Sequence, residues 1–378
     1  MILTEEQTMI RDMARDFAQN RLAPHSVAWE EEAAIPRSVL GEMGALGLMG
    51  MTVPESYGGA EADYVSYALA LMEIASGDGA VSTVMSVNNS PCCAAILQEG
   101  TEAQKEAFLT QLAKGEEIGA FCLTEPQAGS DASALKTRAR KEGDHYVLSG
   151  TKQFITSGKI GGIALVFAVT DPEAGKKGIS CFIVPTISEG YRVVSVEKKL
   201  GQKASDTCQI AFDDVHIPAA NMLGPEGAGY RIALANLETG RIGIAAQSVG
   251  MASAALAHAL AYAKERKAFD KTIIEHQAVG FRLADMATKL EVARQMVLHA
   301  ASLKDAGLPC LTEASMAKLF ASEMAEEVCS GAIQTFGGNG YIADYPVEKI
   351  YRDVRVCQIY EGTSDIQKLV IARNLAAG

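Results

Sequence analysis

The chain has no cysteine pair at C-x-x-C spacing and no H-E-x-x-H. Its cysteines (Cys92, Cys93, Cys122, Cys181, Cys208, Cys310, Cys329, Cys357) are scattered, and its six histidines form no cluster with Cys or carboxylates at ligand spacing. The usual zinc and dithiol motifs are therefore excluded, and no metal is expected. Single scattered thiols read as reduced core or interface residues in a reducing compartment. A basic surplus is also missing. With 34 Lys and Arg against 46 Asp and Glu, the net charge is -12, which argues against a nucleic-acid or anionic-membrane partner but leaves phosphate-bearing small ligands open.

The first residues, MILTEEQTMIRDMARDFAQ, lack the basic and apolar regions of a signal peptide. Thr4 and Gln7 instead form a capping box, followed by Ile10, Met13 or Ala14, and Phe17 on one helical face. The absence of a targeting segment suggests a bacterial cytoplasm, and a processed mitochondrial matrix protein would look the same. Long hydrophobic runs are lacking as well. The nearest, residues 242–263, is interrupted by Gln247, Ser248, Ser253 and His258 and is richer in Ala and Gly than in Leu and Ile. It reads as a helix buried among helices rather than a membrane span.

Three textures follow one another, at a length that suits two or three domains. Residues 1–119 read as helical, with breaks at PESYGG and SGDG. Residues 120–228 carry short runs rich in Val, Ile and Phe (HYVLSG, QFITSG, GIALVFAVT, GISCFIVP, YRVVSVE, TCQIAFDDVHI), which predict an antiparallel barrel or sandwich. Residues 229–378 return to long helical patterns at 230–267, 277–306 and 313–335, which fit an up-and-down bundle. The fold class is thus α+β and multidomain: all-α, then β, then a four-helix bundle.

Candidate chemistry lies in three places. Phe121–Asp131 (FCLTEPQAGSD) sets hydroxyls and a glycine between a strand and a loop, where Thr124, Ser130 and freed backbone N–H groups could hold an anionic or carbonyl-rich edge. In Lys152–Gly158 (KQFITSG), Phe154 and Thr156 share a strand face and could cover a flat ring; Phe154 could equally be core. In VCQIYEGTSDIQ, Glu361 precedes a helix whose start reads as a capping box from Ser364 to Gln367, and it could be only a turn residue. Arg266 as a solvated charge, GGNGY as a hairpin turn and LETGR as a helical kink with an exposed ion pair are further plain readings.

Together with MSVNNS (Met85–Ser90), ERKAF (Glu265–Phe269), LADMATKLEVAR (Leu283–Arg294), SMAKLFAS (Ser315–Ser322) and QTFGGNGY (Gln334–Tyr341), these segments resemble, in order and over essentially the whole chain, the acyl-CoA dehydrogenase family of flavoproteins. MSVNNS and LETGRIGIA look most like its short-chain (butyryl) and short branched-chain members.

The resemblance implies FAD as cofactor, α,β-dehydrogenation of an acyl-CoA to a trans-2-enoyl-CoA, electron-transfer flavoprotein as electron acceptor, and a homotetramer built as a dimer of dimers. It implies flavin contacts from Phe121, Leu123, Thr124, Gly129, Ser130, Phe154, Ile155 and Thr156. It also implies dinucleotide contacts from Arg266, Phe269, Gln277, Gln334, Gly337 and Gly338, partly across a subunit interface, and from Thr363 and Asp365. Ser130, Glu238, Thr239, Gly240, Arg241 and Gly362 would meet the substrate, with Glu361 as the base. Isovaleryl-type and long-chain members carry an acidic base at the position of Gly240, so its absence leaves Glu361 as the placed candidate. Phe154 stands where many members have Trp, and Gln127 where Gly is common. An oxidase-like or nitroalkane oxidase-like enzyme, with oxygen as acceptor, is the alternative on the same fold.

Overall fold

The computed structural model describes residues 1–377. The N-terminal region contains α1 (Glu5–Phe17), α2 (Ser26–Glu32), α3 (Arg37–Ala45), α4 (Tyr64–Gly77), α5 (Gly79–Val87), α6 (Ala94–Glu99), α7 (Glu102–Gln104) and α8 (Thr110–Ala113). Thr4 closes the expected capping box with Gln7. Asp63 and Asp78 cap α4 and α5 through their side chains, which satisfies helix-end N–H groups that would otherwise stay unpaired.

The middle region is β1 (Gly119–Cys122), β2 (Arg138–Glu142), β3 (His145–Thr156), β4 (Ile163–Val169), β5 (Ile179–Pro185), β6 (Tyr191–Val196), β7 (Thr207–Pro218) and β8 (Met222–Leu223). The sheet order is β6-β7-β3-β2-β4-β5-β8, with β1 on β4. Two features differ from the sequence expectation. HYVLSG and QFITSG fall on one twelve-residue strand, β3, and the sheet is mixed because β1 runs parallel to β4, as does the start of β2 at Arg138. Parallel pairing needs no local turn, so nothing in the short runs announced it.

The C-terminal region holds α9 (Gly229–Glu265), α10 (Gln277–Asp305), α11 (Leu311–Phe336), α12 (Val347–Val354) and α13 (Ser364–Ala377). Helix α9 is long and apolar enough to cross a membrane, but it packs against α4, α10 and α11, and Gly240–Ala252 is buried without a break. Its small residues permit that approach: a Cβ on Gly250 would meet the side chain of Ala75 at 2.8 Å. No kink occurs at LETGR. One apolar core runs through both helical regions, from Leu40 and Leu71 to Val249 and Val328.

The regions are also tied by buried charge. Lys349 of α12 bonds Asp353 at 2.7 Å and Asp78 at 3.3 Å, and Asp353 accepts the backbone N–H of Gln202 in the β6-β7 connection. Three segments distant in sequence therefore meet at one desolvated cluster, where every partner is needed to offset burial of the others.

Candidate active site

The segment between α12 and α13 is held by helices on both sides. Glu361 has φ +52° and Gly362 has φ +92°, a left-handed turn that glycine enters freely and glutamate only at a cost. Gln367 offsets that cost by donating its amide to the carbonyls of Glu361 (3.3 Å) and Gly362 (2.9 Å). This corrects the expected Ser364–Gln367 capping box. Because the Gln367 amide is drawn back to the turn, Ser364 Oγ is buried without a partner, and Thr363 caps α13 by accepting from Ile366 N at 3.4 Å.

Glu361 is half-buried as a residue, yet its Oε2 is sealed from solvent and has no hydrogen-bond partner. The carboxylate lies against Gly240 of α9, where any added Cβ would overlap Oε2. Burial pushes the carboxyl up to about 7, opposed by the positive charges of Lys318 and Arg241. Arg241 is buried, with Nε and Nη1 unpartnered, so it is not the exposed ion pair that LETGR could have been. Desolvation lowers its pKa, with Glu238 and Glu361 acting against that trend. Glu238 is half-buried beside Cys310, and Thr239 is buried with its hydroxyl 2.9 Å from that of Ser90.

Behind Glu361 lies a chain of polar side chains. The Tyr360 hydroxyl donates to Gln247 Oε1 (3.0 Å), Gln247 Nε2 donates to Ser82 Oγ (2.8 Å) and Thr83 Oγ1 (2.9 Å), and Thr83 donates to Gln202 (2.6 Å). Gln247 lies seven residues beyond Gly240 on the same face of α9, about 10 Å along the axis. Between them, the hydroxyls of Tyr67 and Ser86 are buried without partners, within 3.0 Å of where a Cβ on Gly243 would sit.

The middle region brings FCLTEPQAGSD and KQFITSG together. Gln153 N donates to Thr124 O at 2.9 Å. Lys152 Nζ, fully buried, bonds Leu123 O at 3.1 Å and Glu125 Oε1 at 2.8 Å. Glu125 also accepts the backbone N–H groups of Lys136 and Thr137, and although burial opposes it, Lys152 and these donors hold it down to about 2. At the bulge in β3, Phe154 takes φ +58° and stands 64 % exposed, with Thr156 half-buried beside it. Gly129 and Ser130 are exposed, Thr124 is half-buried, and Phe121 is half-buried 4.8 Å from Phe167. Leu123 and Ile155 are buried in apolar clusters, so they have backbone rather than side chains to offer a ligand. An exposed aromatic at a strained backbone position, flanked by hydroxyls and a glycine loop, fits a flat heteroaromatic cofactor.

The remaining candidates sit elsewhere. Arg266, Phe269 (90 % exposed), Gln277, Gln334, Gly337 and Gly338 are all exposed at the far end of the bundle. There, Asn339 donates to the Tyr262 hydroxyl at 2.9 Å, and GGNGY forms a 3-10 turn rather than a hairpin. Gly240 and the end of α9 at Glu265 are about 37 Å apart at 1.5 Å per residue. The Gly240 end of the site and the Arg266 group therefore lie far apart within one chain. Thr363 and Asp365, in contrast, lie beside Glu361.

Residues 4–116, 120–215 and 227–376 match the N-terminal, middle and C-terminal domains of acyl-CoA dehydrogenase. The chain belongs to the acyl-CoA dehydrogenase family. It is 49 % identical to an acyl-CoA dehydrogenase of Bacillus subtilis over the full length of both. Butyryl-CoA dehydrogenase from Megasphaera elsdenii superposes with a TM-score of 0.97 at 42 % identity, covering 100 % of this chain and 99 % of that one. A chain from a structure of the electron transferring flavoprotein of Acidaminococcus fermentans, described toward a mechanism of flavin-based electron bifurcation, superposes with a TM-score of 0.99 at 45 % identity, covering 100 % of both.

The sequence alone missed four features of this acyl-CoA dehydrogenase site: Lys318, the Tyr360–Gln247 link, the Lys152–Glu125 pair and the orphan hydroxyls of Tyr67 and Ser86. The only available signal was a lysine set among periodic small residues, Ala314, Ala317 and Ala321 in α11.

Proposed function

We propose that this acyl-CoA dehydrogenase oxidises a short-chain or short branched-chain acyl-CoA to the trans-2-enoyl-CoA, with Glu361 as the base, and passes the electrons to electron-transfer flavoprotein. The observation carrying this reading is the Glu361 carboxylate: sealed, unpartnered, set against Gly240, and raised to about 7 by burial. A carboxylate in that state is a stronger base than one in water and still ionises near neutral pH.

Glu361 takes the α-proton onto its carboxylate while the α-carbon's electron pair forms the new C=C bond. The β-hydrogen leaves with its electron pair as hydride, for which FAD, when bound, would supply the two-electron acceptor. Negative charge grows on the thioester oxygen as the proton leaves, and the backbone N–H of Glu361, in a turn fixed by Gln367, is a donor that need not reorganise. Phe154, Thr156, Thr124 and Ser130 would hold the flavin ring, with Thr363 and Asp365 beside it. Arg241, Glu238 and Thr239 would line the acyl-CoA.

The Tyr360–Gln247–Thr83 chain supports a short acyl group. It lies about 10 Å from Gly240 along one face of α9 and would close the far end of a short acyl site. Butyryl-CoA dehydrogenase as a close structural neighbour supports the same range. The length of α9 between Gly240, beside Glu361, and the exposed group Arg266, Phe269, Gln277, Gln334, Gly337 and Gly338 supports a homo-oligomer in which that group serves another copy's FAD; a tetramer made of two such dimers fits this. We read the chain as three units, 1–119, 120–228 and 229–378, with α9 as a core helix, working in a bacterial cytoplasm or a mitochondrial matrix.

Anaerobic mixing of FAD-loaded protein with butyryl-, isobutyryl-, 2-methylbutyryl- and octanoyl-CoA tests the reading. Rapid loss of oxidised-flavin absorbance with the short thioesters is expected. Bound flavin that no thioester bleaches would overturn the assignment, and rapid oxygen consumption in air would move the electron acceptor from flavoprotein to oxygen.

A further inference from the structure

Lys318 lies in SMAKLFAS, a segment with no role so far. Its side chain is fully buried between Ala314, Ala317 and Ala321 of α11 and the base-bearing turn, and Nζ donates to the carbonyl of Gly362 at 2.7 Å. Burying an ammonium costs far more than burying a methionine of similar volume, so packing alone does not account for a lysine here. We propose that Lys318 is a positioning residue for this reaction. It clamps the Gly362 carbonyl, fixes the left-handed turn that presents Glu361, and supplies the neighbouring positive charge against which that carboxylate ionises. The proposal deepens the reading of Glu361 as the base and rests on it.

The geometry separates this role from that of Gln367. Both donate to Gly362 O, but Gln367 is neutral and also holds Glu361 O. Lys318 alone joins a charge to the clamp. The other ionisable groups interacting with one or other of the pair are Arg241 on α9, Glu323 on α11, Cys357 ahead of the turn, and Tyr67 and Cys92 from the N-terminal helices, while Glu238 on α9 acts on Arg241 and Tyr360, next to Glu361 in the chain, interacts with Cys357. Of these, Arg241 is the other positive charge that favours the ionised carboxylate.

Burial acts in opposite directions on the two partners. It lowers the Lys318 ammonium to about 8 and raises the Glu361 carboxyl to about 7. The doubly charged pair is most populated between those values. The rate of flavin bleaching in the wild type therefore rises toward pH 7 and falls above pH 8.

The test compares wild type with Lys318→Met, Lys318→Gln and Lys318→Arg, each FAD-loaded and folded by melting temperature, from pH 5.5 to 9.5. Bleaching by butyryl-CoA is one readout. The other is the carboxylate band of Glu361 in unliganded protein, isolated by infrared difference against Glu361→Gln. For Lys318→Met or Lys318→Gln, bleaching at pH 7 should fall about tenfold or more, the carboxylate midpoint should rise by about half a unit or more, and the alkaline fall should disappear. Lys318→Arg, which keeps the charge, should restore the carboxylate midpoint. A uniform loss of rate with the midpoint and both limbs unmoved would make Lys318 a packing residue and overturn the proposal. The infrared midpoint decides this even if no thioester bleaches the wild type, an outcome that would sink the parent reading separately.

Discussion

Replacing Glu361 by glutamine should stabilise the protein, and the gain should depend on pH. The carboxyl titrates near 7 in the folded chain against an ordinary 4.5. Between those values the native state holds a proton that the unfolded state has released, so stability falls as pH rises across the interval. The raised pKa corresponds to about 3 kcal/mol, lost progressively up to pH 7 and constant above it. An amide in its place does not titrate and carries no such loss. For a chain of this size 1 kcal/mol moves Tm by about 1–2 °C, so the variant should melt about 3–6 °C higher relative to wild type at pH 8 than at pH 4.5. Differential scanning fluorimetry of both proteins from pH 4.5 to 8.5, at one fixed FAD concentration, measures the gap. A gap that does not change with pH would refute burial as the cause of the shift, and with it the source of the base's strength.

Three other perturbations probe the rest of the site. Gln247→Ala removes the end of the polar chain behind the base, so the kcat/KM ratio of hexanoyl- to butyryl-CoA should rise about tenfold, by the usual worth of one or two methylenes in a pocket. Phe154→Ala should weaken FAD binding about tenfold in fluorescence titration while leaving the apoprotein Tm unchanged, because the ring is 64 % exposed and supports a ligand rather than the core. Lys152→Met leaves Glu125 buried without its cation and should cost about 3–5 kcal/mol in urea unfolding at pH 7. In the wild type, the contribution of Glu125 is fully present above pH 4.5 and is lost as pH falls toward 2, because its folded pKa lies below the unfolded one.

Local grammar made much of this legible. The Thr4–Gln7 box, the ends of the three long helices, the Val- and Ile-rich strands and the turn before α13 follow from neighbours within four residues, and all stand in the structure within a few positions. The site needed more than that. Glu361 could be singled out in the sequence, but nothing there said that Gly240, 121 residues earlier, would leave room for its carboxylate. The Lys318 to Gly362 clamp, the Tyr360 to Gln247 bond and the parallel β1–β4 pairing join segments more than 35 residues apart, and no periodicity records such meetings. Ser364 was misread because its spacing to Gln367 is that of a capping box, whereas the left-handed turn at Gly362 offered the Gln367 amide two carbonyls to hold instead.

The central claim, that Glu361 removes the α-proton, is tested most directly by anaerobic stopped-flow bleaching with butyryl-CoA and its α-dideuterated form, in wild type and Glu361→Gln, across pH 5.5 to 9. Wild type should show a primary isotope effect and an acid limb centred near pH 7, and Glu361→Gln should lose about ten-thousandfold or more in rate at every pH. Bleaching by Glu361→Gln within about tenfold of wild type would mean that another group takes the proton.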